Sequence, residues 1–128
     1  MKILLDTNIL LLAAAGILSP KAMNYIEDDT NTLLFSTASI WEVVIKRSLG
    51  RDDFSVDPTL LYSGLLSAGY VELPVIGQHA LLVSSLPLLH KDPFDRIMLA
   101  QAVYEGIPFL TTDRIVSQYP DNVILIEQ

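Results

Sequence analysis

The 128-residue sequence has no cysteine, which excludes disulfides and thiolate metal sites and suits a cytoplasmic protein. It is also poor in positive charge. Eight Lys and Arg stand against fifteen Asp and Glu, for a formal net charge of −7. Affinity for nucleic acid comes mainly from Lys and Arg on phosphates, so an acidic chain that handles nucleic acid must use a local basic patch or metal ions. Long apolar runs are missing too. Asp6 interrupts Ile3-Leu4-Leu5 almost at once, unlike a signal peptide. The stretch from Ile9 to Leu18 is far too short to span a bilayer, so no membrane partner is expected. No repeat, low-complexity tract or linker divides the chain, and its length suits one domain over residues 1–128. Hydrophobic residues are 51% of the total. That is enough for a core, and the excess points to a dimer or partner face.

What is present is an alternation of strands and helices. Ile3-Leu4-Leu5 reads as a buried strand, followed by a Leu/Ala-rich helix that stops near Gly16. Ser19-Pro20 opens a second helix as N-cap and N1. Residues Thr32 to Ser36 form the next strand, and Ser36, Thr37 or Ser39 caps a helix running to about Leu49. Arg51 to Val56 is a connector. Asp57-Pro58 opens a helix ended by Gly69, and Pro74 makes the strand from Tyr70 to Val75 short or an edge strand. A helix over Gln78 to Leu86, a loop, and the helix opened by Asp92-Pro93 and stopped by Gly106 complete the middle. Phe109 to Thr111 and Val123 to Ile126 are the last strands, with a turn or short helix from Asp113 to Tyr119 between them. This order predicts an α/β fold with a mainly parallel sheet and helices on both faces. In such sheets ligands bind beyond the C-terminal strand ends.

Acids stand at those positions. Asp6 and Asp113 each follow an apolar strand, as helix N-cap or as metal ligand. Asn8 either orients the Asp6 carboxylate or caps the helix. Glu42 sits among Ile40, Trp41, Val43 and Val44, an apolar setting that suits a side chain facing a pocket. Asp92 at N-cap and Asp95 at N3 fit the positive end of a helix, and capping accounts for Asp92. Asp95 is free to project onward. Clustered carboxylates repel and raise one another's pKa unless a cation holds them, and oxygen ligands suit Mg²⁺ or Mn²⁺. Lys46, Arg47 and Arg51 form the one basic cluster, a candidate grip on phosphates, although Lys46 is also placed to pair with Glu42 at i,i+4. Arg96 contacts substrate or pairs with an acid. His79 and His90 read as structural or exposed, and Trp41 as a core or interface residue.

Four short motifs in order carry a family likeness: Leu4-Leu5-Asp6-Thr7-Asn8, Ser39-Ile40-Trp41-Glu42, His90-Lys91-Asp92-Pro93-Phe94-Asp95-Arg96 and Thr111-Thr112-Asp113. Together they span nearly the whole chain, which resembles a PIN domain and, more narrowly, the toxin ribonucleases of VapBC toxin–antitoxin systems. The resemblance implies a PIN-like three-layer α/β/α sandwich and a Mg²⁺- or Mn²⁺-dependent endoribonuclease. It makes Asp6, Glu42, Asp95 and Asp113 the catalytic and metal-binding quartet, with Asn8, Asp92 and Thr112 in supporting or capping roles. It also implies an RNA substrate, a small antitoxin partner, a homodimer, and products with 5′-phosphate and 3′-hydroxyl ends. The low basic content departs from a simple expectation for an RNA enzyme. A PIN-like RNA-processing nuclease without an antitoxin is the nearest alternative. A phosphoacceptor receiver or binding module is the other. A receiver needs an acidic pair after the first strand and a late Lys, whereas this chain has a single Asp there and no Lys beyond Lys91.

Overall fold

The structure, a computed structural model, describes residues 1–50, 55–119 and 122–128. Among the described residues, five strands form one sheet: β1 (Lys2–Leu5), β2 (Thr32–Ser36), β3 (Val71–Leu73), β4 (Phe109–Thr111) and β5 (Val123–Leu125). Six α-helices of the described residues pack on it: α1 (Thr7–Ala15), α2 (Pro20–Glu27), α3 (Thr37–Ser48), α4 (Pro58–Ser67), α5 (Gly77–Val83) and α6 (Pro93–Glu105). The strand order is β3-β2-β1-β4-β5 and every pairing is parallel. No single helix among the described residues is long and apolar enough to cross a membrane.

β1 is central because all of its apolar side chains can be covered. Ile3, Leu4 and Leu5 are fully buried, and burying each contributes about 1.5–3 kcal/mol. Their alternation divides the core into two layers. Ile3 and Leu5 join Leu33 and Phe35 of β2 under Ile9, Leu10, Ala22, Leu61 and Leu65 of α1, α2 and α4. Leu4 points the other way, with Leu34 and Phe109, onto Met98, Leu99 and Ala102 of α6. This is the expected three-layer α/β/α arrangement.

Helix boundaries follow the predicted signals with local adjustments. Ser19, Ser36, Asp57 and Asp92 cap α2, α3, α4 and α6 through their side chains. Gly16 and Gly106 end α1 and α6 at φ of 71° and 67°, in the left-handed region that favours glycine. The strand expected over residues 70–75 is only Val71–Leu73 and lies at the sheet edge, because Pro74 has no N–H to extend the ladder. The helix expected over 78–86 is shifted and shorter, Gly77–Val83. Residue Val116 begins a single 3₁₀ turn where a short helix or turn was expected.

The chain runs from β1 to β2 on one side, then returns to place β4 on the other side of β1. The crevice between the C-terminal ends of β1 and β4 is therefore the sheet's topological switch point. The Asp6 N–H donates to Leu110 O at 2.9 Å, which brings the residues after both strands to the same edge.

Candidate active site

A cleft of about 290 Å³ opens at that edge, and its walls include Asp6, Glu42, Asp92, Asp95 and Asp113. They arrive from different elements. Asp6 follows β1, Glu42 lies on the second turn of α3, Asp92 and Asp95 begin α6, and Asp113 follows β4. The structure thus brings together Asp6, Glu42, Asp95 and Asp113, the quartet that the resemblance implies, with Asp92 beside them. Beneath them the Thr7 and Ser39 hydroxyls hydrogen-bond at 2.8 Å, and both contact the Met98 sulfur, tying α1, α3 and α6 together.

Capping and chemistry can now be separated for each acid. Asp6 occupies the N-cap position of α1, yet its side chain makes no capping hydrogen bond. Instead its Oδ2 accepts from the Thr111 hydroxyl at 2.6 Å. Burial raises its pKa to about 6, aided by the charges of Glu42 and Asp113 and opposed by hydrogen bonds from Thr111 and Thr7. Asp92 is a true cap, accepting from the Phe94 and Asp95 N–H groups. Asp95 makes no such use of its carboxyl. Burial first, and then the charges of Asp6, Asp92, Glu42 and Asp113, push it up to about 8. Asp113 does both jobs: Oδ1 accepts from the Ile115 and Val116 N–H groups, while Oδ2 faces His90. Partial burial works to raise its pKa, but hydrogen bonds from His90, Ile115 and Val116 outweigh that and hold it below the usual value.

Glu42 is buried, with Oε2 2.6 Å from the Lys46 ammonium. Its Oε1 has no hydrogen-bond partner among the described residues. A buried, unpartnered carboxylate oxygen is costly and suits a site that takes up a ligand such as an ion. The donor set of the cleft is almost entirely carboxylate oxygen, the chemistry that Mg²⁺ and Mn²⁺ prefer. These residues therefore fit a hard divalent cation. The tightest potential ligand group among the described residues is His90, Asp95 and Asp113, with one ligand atom from each lying within 4.8 Å of the others.

The supporting and basic residues fall out unevenly. Asn8 donates to the Thr112 hydroxyl at 2.9 Å, closing the rim between α1 and the end of β4. Lys46 lines the cleft but is committed to Glu42, so the helical pair and the phosphate grip compete for one ammonium. Arg47 pairs with Asp57 at 3.4 Å. Arg51 lies outside the described residues. Arg96 turns away from the cleft: its guanidinium donates to the carbonyls of Val83, Leu86 and Pro87 and to the Tyr119 hydroxyl. It satisfies the open C-terminal end of α5 instead of an acid or a substrate. Arg96→Ala should lower stability by about 2 kcal/mol through those lost charge-assisted bonds, read as an earlier midpoint in urea unfolding. Trp41 is 63% exposed and not part of the core. Its ring meets Phe94 edge-on at 5.3 Å beside an apolar cavity of about 720 Å³ between α3, α5 and α6.

Two contributors escaped the sequence reading. Thr111 donates to Asp6 and accepts the Asp113 N–H at 3.0 Å, linking two acids through one hydroxyl. His90, expected to be structural or exposed, places Nε2 2.8 Å from Asp113 Oδ2 and 3.1 Å from Asp95 Oδ2. Its place at the head of the His90-Lys91-Asp92-Pro93-Phe94-Asp95-Arg96 motif was the available signal.

A family model described as the PIN domain matches residues 3–122. A sequence comparison with curated proteins returns no match. Among solved structures, the chain is similar to one of VapBC2 from Rickettsia felis bound to a promoter DNA fragment, with a TM-score of 0.73 and 18% identity over 98% of each chain. It is also similar to DNA-bound VapBC from Salmonella typhimurium, with a TM-score of 0.70 and 15% identity over 97% of each chain. A third similar structure is a toxin–antitoxin complex from Klebsiella pneumoniae, with a TM-score of 0.65 and 18% identity over 95% of each chain. At these identities the structural likeness establishes the fold.

Proposed function

Because the chain belongs to the PIN domain family, we propose that its acidic cleft is the active centre of a Mg²⁺- or Mn²⁺-dependent endoribonuclease. We further propose that it is the toxin of a VapBC-type pair. The observation that carries the reading is the convergence of Asp6, Glu42, Asp95 and Asp113 on one cleft at the switch point.

Asp6, Asp95 and Asp113 would hold the cation, and Glu42 would contribute directly or through water with its unpartnered Oε1. When bound, a divalent cation there supplies a more acidic water and neutralises charge on a phosphate during in-line displacement. The protein's part is to keep four carboxylates close despite their repulsion. Thr111 fixes Asp6 at 2.6 Å, and the N–H groups of Ile115 and Val116 fix Asp113. Lys46, at the cleft wall, is placed to trade Glu42 for a substrate phosphate. No Ser–His or Cys–His nucleophile is required. This division of labour also answers the shortage of basic residues, since a bound cation would add positive charge at the site.

Protein partners complete the proposal. Apolar side chains, among them the exposed Trp41, Val75, Leu88 and Leu60, line two cavities, one of about 720 Å³ beside Trp41 and Phe94 and one of about 290 Å³ between α1 and α4. Such faces support both a homodimer and an antitoxin. The neighbours from Rickettsia felis and Salmonella typhimurium are VapBC complexes, which supports an antitoxin for this chain as well.

The test is incubation of the purified protein with total cellular RNA and Mn²⁺ or Mg²⁺, with and without EDTA. The proposal expects discrete cuts that disappear with EDTA and return when excess cation is added back. Cleavage indifferent to EDTA would remove the metal-dependent reading.

A further inference from the structure

His90 reaches two acids of the cleft through one ring nitrogen. Its Nε2 lies 2.8 Å from Asp113 Oδ2 and 3.1 Å from Asp95 Oδ2. The other ring nitrogen fixes what Nε2 can be. Nδ1 accepts the backbone N–H of Asp92 at 3.0 Å. A backbone amide can only donate, so Nδ1 carries no proton and the proton of the neutral ring resides on Nε2. Nε2 is therefore a donor aimed at a carboxylate, not a lone pair free to ligate a metal.

The ring is also well held. The His90 backbone N–H donates to the Tyr119 hydroxyl at 3.1 Å, and the same hydroxyl receives Arg96 Nη1 at 3.1 Å. The contacts of Arg96 and Tyr119 thus set the loop that carries His90, which explains why an arginine of the motif faces away from the cleft. The His90 side chain is 15% exposed, so one edge of the ring borders solvent.

We propose that His90 is a displaceable stand-in for the cation. Its Nε2–H holds Asp113 beside Asp95 in the metal-free protein and yields those Oδ2 atoms when a divalent cation binds. This rests on the metal-dependent reading above. It makes His90 a positioning residue that competes with the cation, neither a ligand nor a catalytic group. Removing the ring takes the partner from those Oδ2 atoms and costs the metal-free state the hydrogen bond that binding would otherwise have to break.

The experiment is calorimetric titration of Mn²⁺ into the whole protein at pH 7.5, comparing wild type with His90→Ala, alongside thermal melting with and without Mn²⁺. The expected result is tighter binding by the variant, by about tenfold, the equivalent of one hydrogen bond to a charged group. A lower melting temperature without metal and a larger rise on adding it should accompany this. Weaker binding would make His90 a ligand, and unchanged binding would make it scaffold; either overturns the inference. A wild type that takes up no Mn²⁺ overturns both this and the metal-dependent reading. Wild type that binds alongside a variant that binds no tighter removes the His90 role alone.

Should the variant not fold, ¹⁵N-imidazole NMR of wild type titrated with Mg²⁺ decides. Displacement leaves His90 Nε2 protonated, with a changed shift. Ligation gives a deprotonated Nε2, and an unmoved resonance at saturating Mg²⁺ means that the ring stays in place. Both of these results contradict the proposal.

Discussion

Asp95→Asn should abolish metal-dependent RNA cleavage while making the metal-free protein more stable. Both effects have one cause. The carboxyl of Asp95 is pushed up to about 8, by burial first and then by the charges of Asp6, Asp92, Glu42 and Asp113. An acid held above its ordinary pKa opposes folding at neutral pH, because the unfolded chain ionises it freely and the folded chain does not. Asparagine keeps the shape and removes the charge. Without a cation the variant should melt higher, by about 5 °C or more. With Mn²⁺ present it should lack a ligand charge, and cleavage should fall by at least about 10²–10³, the scale of losing one electrostatic group at a reacting centre. A variant that melts lower than wild type would return Asp95 to a structural role at the start of α6.

The second large effect is the pH dependence of stability. Asp6 and Asp95 both have pKa values raised in the folded state, from 3.8 to about 6 and about 8. For a raised pKa, stability is fully present below the unfolded value and is lost as pH rises toward the folded one. The metal-free protein should therefore lose stability progressively from about pH 4 to pH 8, with Asp6 contributing in the lower part of that window and Asp95 across all of it. Asp113, whose pKa is lowered, has the opposite sign and protects the fold except in acid. Glu42, Asp92 and Lys46 line the same cleft, and His90 contacts Asp113 and Asp95 from its edge. Metal-free melting temperatures should fall by about 10 °C between pH 5 and pH 8, and saturating Mn²⁺ should flatten the slope. A metal-free profile that rises with pH would contradict the raised pKa values of Asp6 and Asp95.

These effects were partly visible in the sequence because strand ends and helix starts are local signals. Ile3-Leu4-Leu5 before Asp6, and Phe109-Leu110-Thr111 before Asp113, mark buried strands whose exits carry acids. Asp92-Pro93 marks the start of α6 by the fixed φ of proline and the capping carboxylate, so Asp95 follows at a known turn. Local signals do not show which side chains meet across the fold. Whether Asp6 caps α1 depended on the Thr111 hydroxyl arriving from β4, 105 residues away. The direction of Arg96 depended on the α5 carbonyls, and α5 itself ends earlier than its apolar pattern implied. His90 was underestimated for the same reason. Its partner Asp113 lies 23 residues on, and only the parallel placement of β4 beside β1 brings it near Asp95. Of the two places expected for Trp41, core or interface, its 63% exposure excludes the core. The structure leaves that ring exposed beside Phe94.

The most direct measurement of the central claim is the chemistry of the RNA ends. Metal-assisted attack by water at phosphorus leaves a 5′-phosphate and a 3′-hydroxyl, whereas attack by the neighbouring 2′-hydroxyl leaves a 5′-hydroxyl and a cyclic phosphate. Products made with Mn²⁺ should accept ligation that requires a 5′-phosphate, and Asp6→Asn, folded by its melting curve, should make none of them. Fragments with 5′-hydroxyl ends, or the same cuts from Asp6→Asn, would contradict the account.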